Sequence, residues 1–460
     1  MGVNKSSYSN TKRIEKEKQK ALNTSIKEGS AAGVSSGMAD VFIIPYALEL
    51  GARSVHIGFL SSFSALSGQI AQFFGNKLMN KYNRKKVVLT FVFLQALMWL
   101  PIAGISFLFW KNILTGFIPY LLIILYSILA IAGGLAHPSW FSWMGDLVPE
   151  NKRGKYFGKR NLIVGIISLF AAITAGYLLK NFRSQGLVLL GFSIIFFLAF
   201  IFRMVSHELF KKQYSPKYKI KKNSDFSLIS FIKRYDNFGK FAVYQGFFNF
   251  AIMFASPFFA VYMYKELNFN DLTYSFVTVS YILFYLLFLP FIGKFSDKYG
   301  NLRLLYLANF CFILSPLLWI FIKSPVLLIF VPQLIAGLGN AALVISFSNF
   351  IYASSSPEHR GICVAYTNIL VGIGVFLGAM TGGLVLNFIS IGFMNKFLFV
   401  FAIAATLRLL VALFFLPKIK ETKKVKSLPH LMNTFTHPFR YIHLESSNLH
   451  INNRAEIRKI

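Results

Sequence analysis

A single carboxylate interrupts the first long apolar stretch of the chain. Asp40 lies near the middle of the segment AAGVSSGMADVFIIPYALEL, whereas the other acidic residues are expected in tails, loops or helix ends. An acid in apolar surroundings must be neutral, paired or hydrated, because a bare charge there is costly. Asp40 is therefore a candidate for binding a proton, another cation or part of a solute. The alternative is an acid that a basic or polar neighbour satisfies structurally.

A histidine and several aromatic residues lie in a later apolar stretch, in the segment GGLAHPSWFSWMGD. His137 has a side chain that titrates near neutral pH, so it could relay protons with Asp40 or bind an anionic group. Trp140 lies one helical turn away, and with Trp143 and Tyr126 it could form a wall that stacks on a solute ring. The alternatives are a histidine that only forms hydrogen bonds and aromatic residues that only pack.

Polar side chains also recur in the second half of the chain. Gln245 and Asn249 are four residues apart, which places them on one face of a helix. Gln333 and Asn340 lie on a later helix, and the four side chains could line a cavity opposite Asp40. The alternative is a buried polar network that only stabilises the packing of the helices.

A charged pattern, GxxxDKxGxxR, occurs once in full and once in a weakened form. The complete copy, LPFIGKFSDKYGNLR, has Asp297 as its acid, and 217 positions earlier QFFGNKLMNKYNRKK has Asn80 in its place. The weakened copy keeps basic residues that include Lys81 and Arg84; these could also be simple anchors to membrane head groups. The remaining members of the complete copy are Gly293, Lys298, Gly300 and Arg303.

The elements that must position these residues are long apolar helices. Hydrophobic residues make up 55% of the chain, with 52 Phe and only 14% charged residues, which is unlike a soluble domain. Each apolar run of about 20 residues can cross a hydrocarbon core of about 30 Å as a helix. Such runs are too long and too uniform for barrel strands. We predict an all-α integral membrane protein with twelve spans, numbered 1 to 12, at residues 29–51, 56–76, 88–110, 116–145, 159–179, 186–208, 239–264, 272–292, 303–323, 325–352, 362–388 and 395–417.

The net charge of +31 agrees with this topology. Twelve crossings place most Lys and Arg residues on the side of the N-terminus, and the positive-inside rule then predicts that both termini are cytoplasmic. That face should attract anionic lipids, and nucleic-acid binding is not favoured because topology accounts for the basic excess. Arg203 and Arg408, late in spans 6 and 12, are expected to extend to the head groups.

The two halves of the chain are copies of each other. An offset of 217 aligns Lys77 with Lys294, and an offset of 207 aligns Asn161 with Asn368 within a longer match. Self-similarity of this kind indicates repeated structural units, here two bundles of six helices in the same orientation. The predicted division is a basic cytoplasmic tail at 1–28, a first bundle at 29–208, a basic cytoplasmic linker at 209–238, a second bundle at 239–417 and a basic cytoplasmic tail at 418–460.

With these features the sequence resembles the major facilitator superfamily (MFS) of secondary transporters. The resemblance covers all twelve spans, and it rests on the complete motif, on its weakened twin and on the segment DLVPENKRGKYFG between spans 4 and 5. It implies two bundles that rock about a central site, so that the site opens to one side of the membrane at a time.

The resemblance also implies a cytoplasmic gate. The motif acid Asp297 would contact the start of span 5 near Arg153 and Gly154, where free N–H groups and the helix dipole attract a carboxylate. In the twin, Asn80 would face the start of span 11, and a neutral acceptor gives about half the strength of a charged one. The gate is therefore expected to be asymmetric. The partners expected for Asn80 are Arg360 and Gly361.

From these observations we predict a secondary active transporter of a small organic solute in the plasma membrane, with protons or another cation as the candidate coupling ions. The alternative is a transporter-like receptor or scaffold without transport activity. An enzyme is not favoured, because neither paired acids nor a histidine cluster occurs within the spans. No cofactor, catalytic residue or metal site is expected, and no phosphate-binding GxxxxGK[ST] motif occurs.

Overall fold

The computed structural model of the chain describes residues 5–149, 153–216, 236–354, 360–389, 392 and 394–421. Helices fill nearly all of these ranges, and no β-strand occurs within them. Spans 1 to 6 are, in order, Lys5–Ala39 continued by Asp40–Phe42 and Ile43–Glu49, then Ser54–Lys81, Arg84–Trp110, Ile118–Leu147, Arg153–Ser184 and Val188–Lys212.

The second half repeats this arrangement with its own irregularities. Spans 7 and 10 are each built from more than one helical segment, and span 10 contains a π-helical stretch. Spans 7 to 12 are, in order, Asn237–Met253 with Ser256–Lys265, then Asp271–Tyr299, Asn301–Phe321, Pro325–Leu328 with Ile329–Gln333 and Leu334–Ser354, Arg360–Phe388 and Lys396–Phe415.

Among the described residues, eleven of these spans are long and apolar enough to cross a membrane, and span 2 is the exception. Span 2 carries polar side chains where it contacts the other half along span 11. Gln72, for example, accepts a hydrogen bond of 3.5 Å from Asn368. The structure therefore confirms the all-α membrane fold and is compatible with twelve crossings.

The halves meet where span 2 packs on span 11 and span 5 packs on span 8. Close approach depends on glycine at both contacts. A side chain at Gly58 would collide with the backbone of Ala379, and one at Gly176 would collide with the Ser275 hydroxyl. Within the first half, Gly37 lets span 1 lie directly against Ser168 of span 5.

Span 1 is interrupted where the sequence has its isolated acid. The α-helix ends at Ala39, and a single 3-10 turn, Asp40–Phe42, follows before the helix resumes. Tight turns of this kind inside a helix often accompany functional sites. Span 7 is interrupted at the corresponding level, between Met253 and Ser256.

Span 1 also begins earlier than the sequence suggested. Its helix starts at Lys5 and passes through most of the segment that we predicted to be a tail, residues 1–28. Glu28 is only 2% exposed, so the expectation that Asp40 is the one acid inside a bundle is wrong. Ala21, Leu22 and Ser25 lie on the same buried side of this helix.

The helices end at two faces of the molecule. The basic face is the end at which spans 2, 6 and 8 finish, at Lys81, Lys212 and Tyr299. The opposite face is the end at which spans 1 and 5 finish, at Glu49 and Ser184. The assignment of the basic face to the cytoplasm stays a prediction from the charge pattern.

Candidate functional site

A cavity of about 370 Å³ lies inside the first half, between spans 1, 3, 4, 5 and 6. Its volume falls at the lower end of the range for small-molecule sites. The predicted site residues Asp40, His137 and Trp140 all line it. The remaining charged lining residues are Glu28, Arg160 and Arg203.

Asp40 reaches this cavity from the interruption of span 1. Its carboxylate is exposed to the cavity, and the Tyr126 hydroxyl donates a hydrogen bond of 3.3 Å to Oδ1. No ion pair involves Asp40 among the residues that the structure describes. The acid is therefore available to a bound proton, cation or solute group.

A buried ion pair lies about 18 Å from Asp40 along the axis of span 1, since a helix rises about 1.5 Å per residue. Glu28 Oε2 lies 3.1 Å from Arg160 Nη2, and the two side chains are only 3% and 9% exposed. The Ser206 hydroxyl donates to the other carboxylate oxygen at 2.9 Å. The sequence carried no signal for this pair, because Glu28 belongs to a polar, lysine-rich stretch and Arg160 to a separate span.

Arg203 does not extend to the head groups, so that expectation is wrong. Its Nε donates to Gln95 Oε1 at 2.9 Å and its Nη1 donates to the Ser206 hydroxyl at 3.2 Å. Polar side chains inside the bundle thus satisfy the guanidinium, which also lines the cavity. These contacts are neutral, and no ion pair of Arg203 occurs in the described ranges.

The aromatic wall forms only in part. His137 is exposed to the cavity with its ring 6.1 Å from that of Trp140, and the Arg160 guanidinium lies 5.0 Å from the centre of the Trp140 ring. Trp143 is fully buried outside the cavity, where its indole N–H donates to the Tyr214 carbonyl at 3.0 Å. Trp140, but not Trp143, can therefore contact a solute.

The polar residues of the second half do not form a comparable site. Asn249 donates to the Gln245 backbone carbonyl at 2.9 Å, which confirms that both lie on one helix face. Gln245 is 2% exposed, and Gln333 donates to the Val277 carbonyl at 2.8 Å. No hydrogen bond joins these residues to Asn340 within the described part of the chain. These contacts fit the packing alternative.

Arg408, the counterpart of Arg203, is buried rather than extended to the head groups. It is 2% exposed and donates to the backbone carbonyls of Ala251, Ile252 and Phe312 at 3.3, 3.1 and 2.6 Å. Two of these carbonyls belong to the end of the first segment of span 7, where a helix leaves carbonyls without intrahelical partners. Arg408 therefore stabilises the interruption of span 7.

A charged cluster that the sequence did not reveal links the two halves at the opposite face. Arg183 of the first half lies 2.8 Å from the Asp271 carboxylate of the second half and 2.8 Å from Glu49. Tyr264 also donates to Asp271 at 2.8 Å, and the Asp271 side chain is fully buried. A single sequence carries no signal for this cluster, because its four residues come from four separate spans.

The complete motif lies at the basic face, at the turn from span 8 to span 9. Gly300 has a φ of 95°, a backbone conformation that favours glycine, and it caps span 9. Arg303 Nη1 donates to the Tyr299 carbonyl at 3.1 Å. Asp297 and Lys298 are exposed, and Asp297 makes no hydrogen bond or ion pair with another described residue.

The turn itself is fixed by side-chain hydrogen bonds. Asn349 of span 10 donates to the Ser296 hydroxyl and to Asn301 Oδ1, both at 2.9 Å, and Ser296 donates to Asn301 at 2.7 Å. This network holds the turn from both sides of Asp297. Gly293, one turn earlier, faces Ile345 at ordinary contact distance.

The weakened copy makes different contacts. Arg84 is 1% exposed and pairs with Asp146 of span 4 at 2.8 Å, inside the first half rather than across the gate. Lys81 lies over the ring of Tyr82. The side-chain surroundings of the other predicted gate positions lie outside the described residues: Asn80, Arg153, Gly154, Arg360 and Gly361.

Within the described ranges, no group of His, Cys, Asp or Glu side chains could hold a metal ion. Both cysteines, Cys311 and Cys363, are free and buried.

Comparisons with known proteins agree with this architecture. An uncharacterised MFS-type transporter of Methanocaldococcus jannaschii is 23% identical over 380 residues, which cover 79% of this chain and 91% of that protein. The vacuolar basic amino acid transporter 1 of Saccharomyces cerevisiae is 28% identical over 34% of this chain and 28% of its own length. The first three curated relatives are matched over only 19%, 28% and 31% of their lengths.

Among solved structures, the nucleoside transporter NupG superposes with a TM-score of 0.63 at 15% identity, covering 88% of this chain and 99% of NupG. At this identity the likeness concerns the fold. The family model described as Major Facilitator Superfamily matches residues 29–258 and 241–446. The chain therefore belongs to the Major Facilitator Superfamily and is a multi-pass membrane protein.

Proposed function

We propose that the protein is a secondary active transporter that moves a small organic solute by alternating access of its two halves. The observation that carries the proposal is the cluster of Arg183, Glu49 and Asp271 at the opposite face. It joins the halves on one side, whereas Asp297 on the basic face is exposed and has no partner among the described residues.

Rocking of two bundles requires attractions that hold one face closed and are released when the other face closes. The buried Asp271 depends on Arg183 for its charge partner, so separating the halves at this face would leave an unpaired carboxylate. Asp297 is the matching group on the basic face, where it would contact the start of span 5 in the other end state. On this proposal, the arrangement with Arg183 bound to Asp271 is the state closed at the opposite face.

We further propose that Asp40 couples transport to protons. It is an acid at a helix interruption, exposed to a cavity that alternating access would open to each side in turn. A falling pH protonates the carboxylate and removes its charge. Tyr126 contacts Asp40 directly, and the other titratable or charged groups that line the cavity are Glu28, His137, Arg160 and Arg203.

The orientation and location complete the proposal. Both termini would lie in the cytoplasm, with the basic face against anionic lipids, because most of the 48 Lys and Arg residues fall on that side. We place the protein in the plasma membrane. Two yeast relatives have "vacuolar" in their names, so an organelle membrane is the competing location. Imaging of a fluorescently tagged chain distinguishes the two.

Cysteine labelling tests alternating access. In a chain with Cys311→Ser and Cys363→Ser, the substitution Ser36→Cys provides a single thiol in the cavity. Arg183→Gln should raise its labelling by an impermeant reagent from the opposite face about tenfold, the change that corresponds to ~1.4 kcal/mol. The reason is that the closed state loses its ionic link.

Lys180→Gln is the matched control, because Lys180 is an exposed cation one turn from Arg183 in the same helix. It should leave labelling unchanged. Equal labelling of Arg183→Gln, Lys180→Gln and the parent would overturn the proposed role of the cluster in closing this face.

A further inference from the structure

The cavity of the first half combines two kinds of charged group. Glu28 and Arg160 are buried and paired with each other, and Ser206 and Ser25 occupy further hydrogen-bonding positions on them. Asp40, by contrast, has only a neutral tyrosine partner. Arg203 likewise has only neutral hydrogen-bond partners, with Glu28 and Asp40 acting on it at longer range, so the cavity presents one carboxylate and one guanidinium without an opposite charge in direct contact with either.

The four charged residues sum to zero when all are ionised. Adding a purely cationic or purely anionic solute to a cavity inside a membrane protein would leave a net charge in a poorly solvated place, which is costly. A solute that carries one positive and one negative group keeps the sum at zero. It also supplies Asp40 and Arg203 with the partners that they lack.

Size and shape restrict the solute further. A volume of about 370 Å³ holds about a dozen non-hydrogen atoms, if each takes about the ~30 Å³ of a liquid water molecule. The rings of Trp140 and Trp99 line the same cavity and offer apolar surface to a solute. This room suits an amino acid rather than a nucleotide or a long peptide.

We propose that the cavity binds a zwitterionic solute of about amino-acid size, with its ammonium group at Asp40 and its carboxylate at Arg203. The assignment rests on the proposed transport function, because it names the solute class for the same cavity. Gln95 and Ser206 hold the Arg203 guanidinium in position, as the Tyr126 hydroxyl does for Asp40.

This arrangement has a consequence for coupling. The Asp40 carboxylate cannot hold a proton and pair with an ammonium group at the same time. Binding of the solute therefore releases the proton of Asp40, and transport becomes an exchange of solute for proton. Affinity for the solute should fall as the pH is lowered through the titration of Asp40, because the neutral acid no longer attracts the ammonium group.

The test is a thermal-shift and calorimetric screen of the purified full chain. The ligands are the common α-amino acids, together with the carboxylic acid and the amine that retain each side chain but lack the other charged group. We expect at least one amino acid to raise the melting temperature, and its two singly charged analogues to bind about tenfold or more weakly, as for loss of a charged hydrogen-bonded partner.

Substitutions of the two cavity residues identify the groups that bind each end. Asp40→Asn should weaken binding of the amino acid about tenfold and leave binding of the carboxylic acid unchanged. Arg203→Gln should weaken binding of the amino acid and leave binding of the amine unchanged. The matched controls are Glu208→Gln and Lys180→Gln, which remove exposed charges away from the cavity.

Three outcomes overturn the proposal: no amino acid binds, a singly charged analogue binds as tightly as the amino acid, or both cavity variants bind the amino acid like the parent. Failure of the transport function is a separate result. An amino acid that binds as predicted but does not cross proteoliposome membranes would support the zwitterion site and contradict transport. Flux of another solute without amino-acid binding would support transport and contradict the site.

Discussion

Arg203 and Arg408 occupy equivalent positions in the two halves, yet they have opposite surroundings. Arg203 lines a cavity and bonds to the side chains of Gln95 and Ser206. Arg408 is buried and bonds only to backbone carbonyls in the contacts described above, at the interruption of span 7 and at Phe312. The two halves therefore have an arginine at the same position, and the residues around each arginine determine whether it faces a cavity or binds backbone carbonyls.

The difference follows from the residues at the interrupted spans. Asp40 stands at the interruption in the first half, whereas the aligned position in the second half is the buried Pro257. The second half has no acid at this position to pair with a ligand. Its arginine, Arg408, instead donates hydrogen bonds to the free carbonyls at the interruption of span 7. In the first half, Asp40 and Arg203 can therefore contact a ligand, whereas in the second half Arg408 only stabilises the fold.

The largest expected effect concerns stability. Arg408→Gln should lower the free energy of unfolding by about 3 kcal/mol, because buried carbonyls lose their donor. Arg203→Gln should cost about 1 kcal/mol or less, since Arg203 is half-buried beside a cavity that can admit water. Thermal unfolding in one detergent compares the two variants. Equal losses of stability would contradict the division of roles.

The next effect concerns the buried pair in the first half. Glu28→Gln should cost about 3 kcal/mol, because it leaves the Arg160 guanidinium buried without its counter-charge. The double variant Glu28→Gln with Arg160→Gln should recover part of that loss. Melting temperatures of the single and double variants measure the coupling. Purely additive losses would show that the pair does not act as a unit.

The smallest effect concerns the two copies of the motif. Asp297→Asn should shift the equilibrium toward the state open at the basic face by about two- to fivefold, the value of a carboxylate at a helix start. Asn80→Asp should shift it in the other direction by restoring the acid in the weakened copy. Labelling of Ser36→Cys from the basic face measures both. Shifts in the same direction would contradict the gate.

The fold was predictable because its signals can be read from the sequence without knowing which residues touch. Span length, apolar composition and the repeat at 217 positions require only neighbouring residues or direct self-comparison. Asp40, His137 and Trp140 were found for the same reason, since each is unusual within its own span. All three line one cavity in the structure.

The features that the sequence did not predict depend on contacts between residues far apart in the chain. Glu28 belongs to a polar, lysine-rich stretch that reads as a tail, and only its contact with Arg160 from span 5 shows that it is inside the bundle. Arg203 fits a head-group anchor until Gln95 and Ser206 are placed beside it. The link between Arg183 and Asp271 joins residues 88 positions apart, without a motif.

In the proposed mechanism, the charged cavity of the first half exchanges solute for protons. The most direct measurement is uptake of a labelled amino-acid mixture into proteoliposomes with an imposed pH gradient, compared between the parent and Asp40→Asn. We predict accumulation above equilibrium by the parent, and downhill exchange without accumulation by Asp40→Asn. Equal accumulation by both would contradict the role of Asp40, and no flux by the parent would favour a receptor or scaffold.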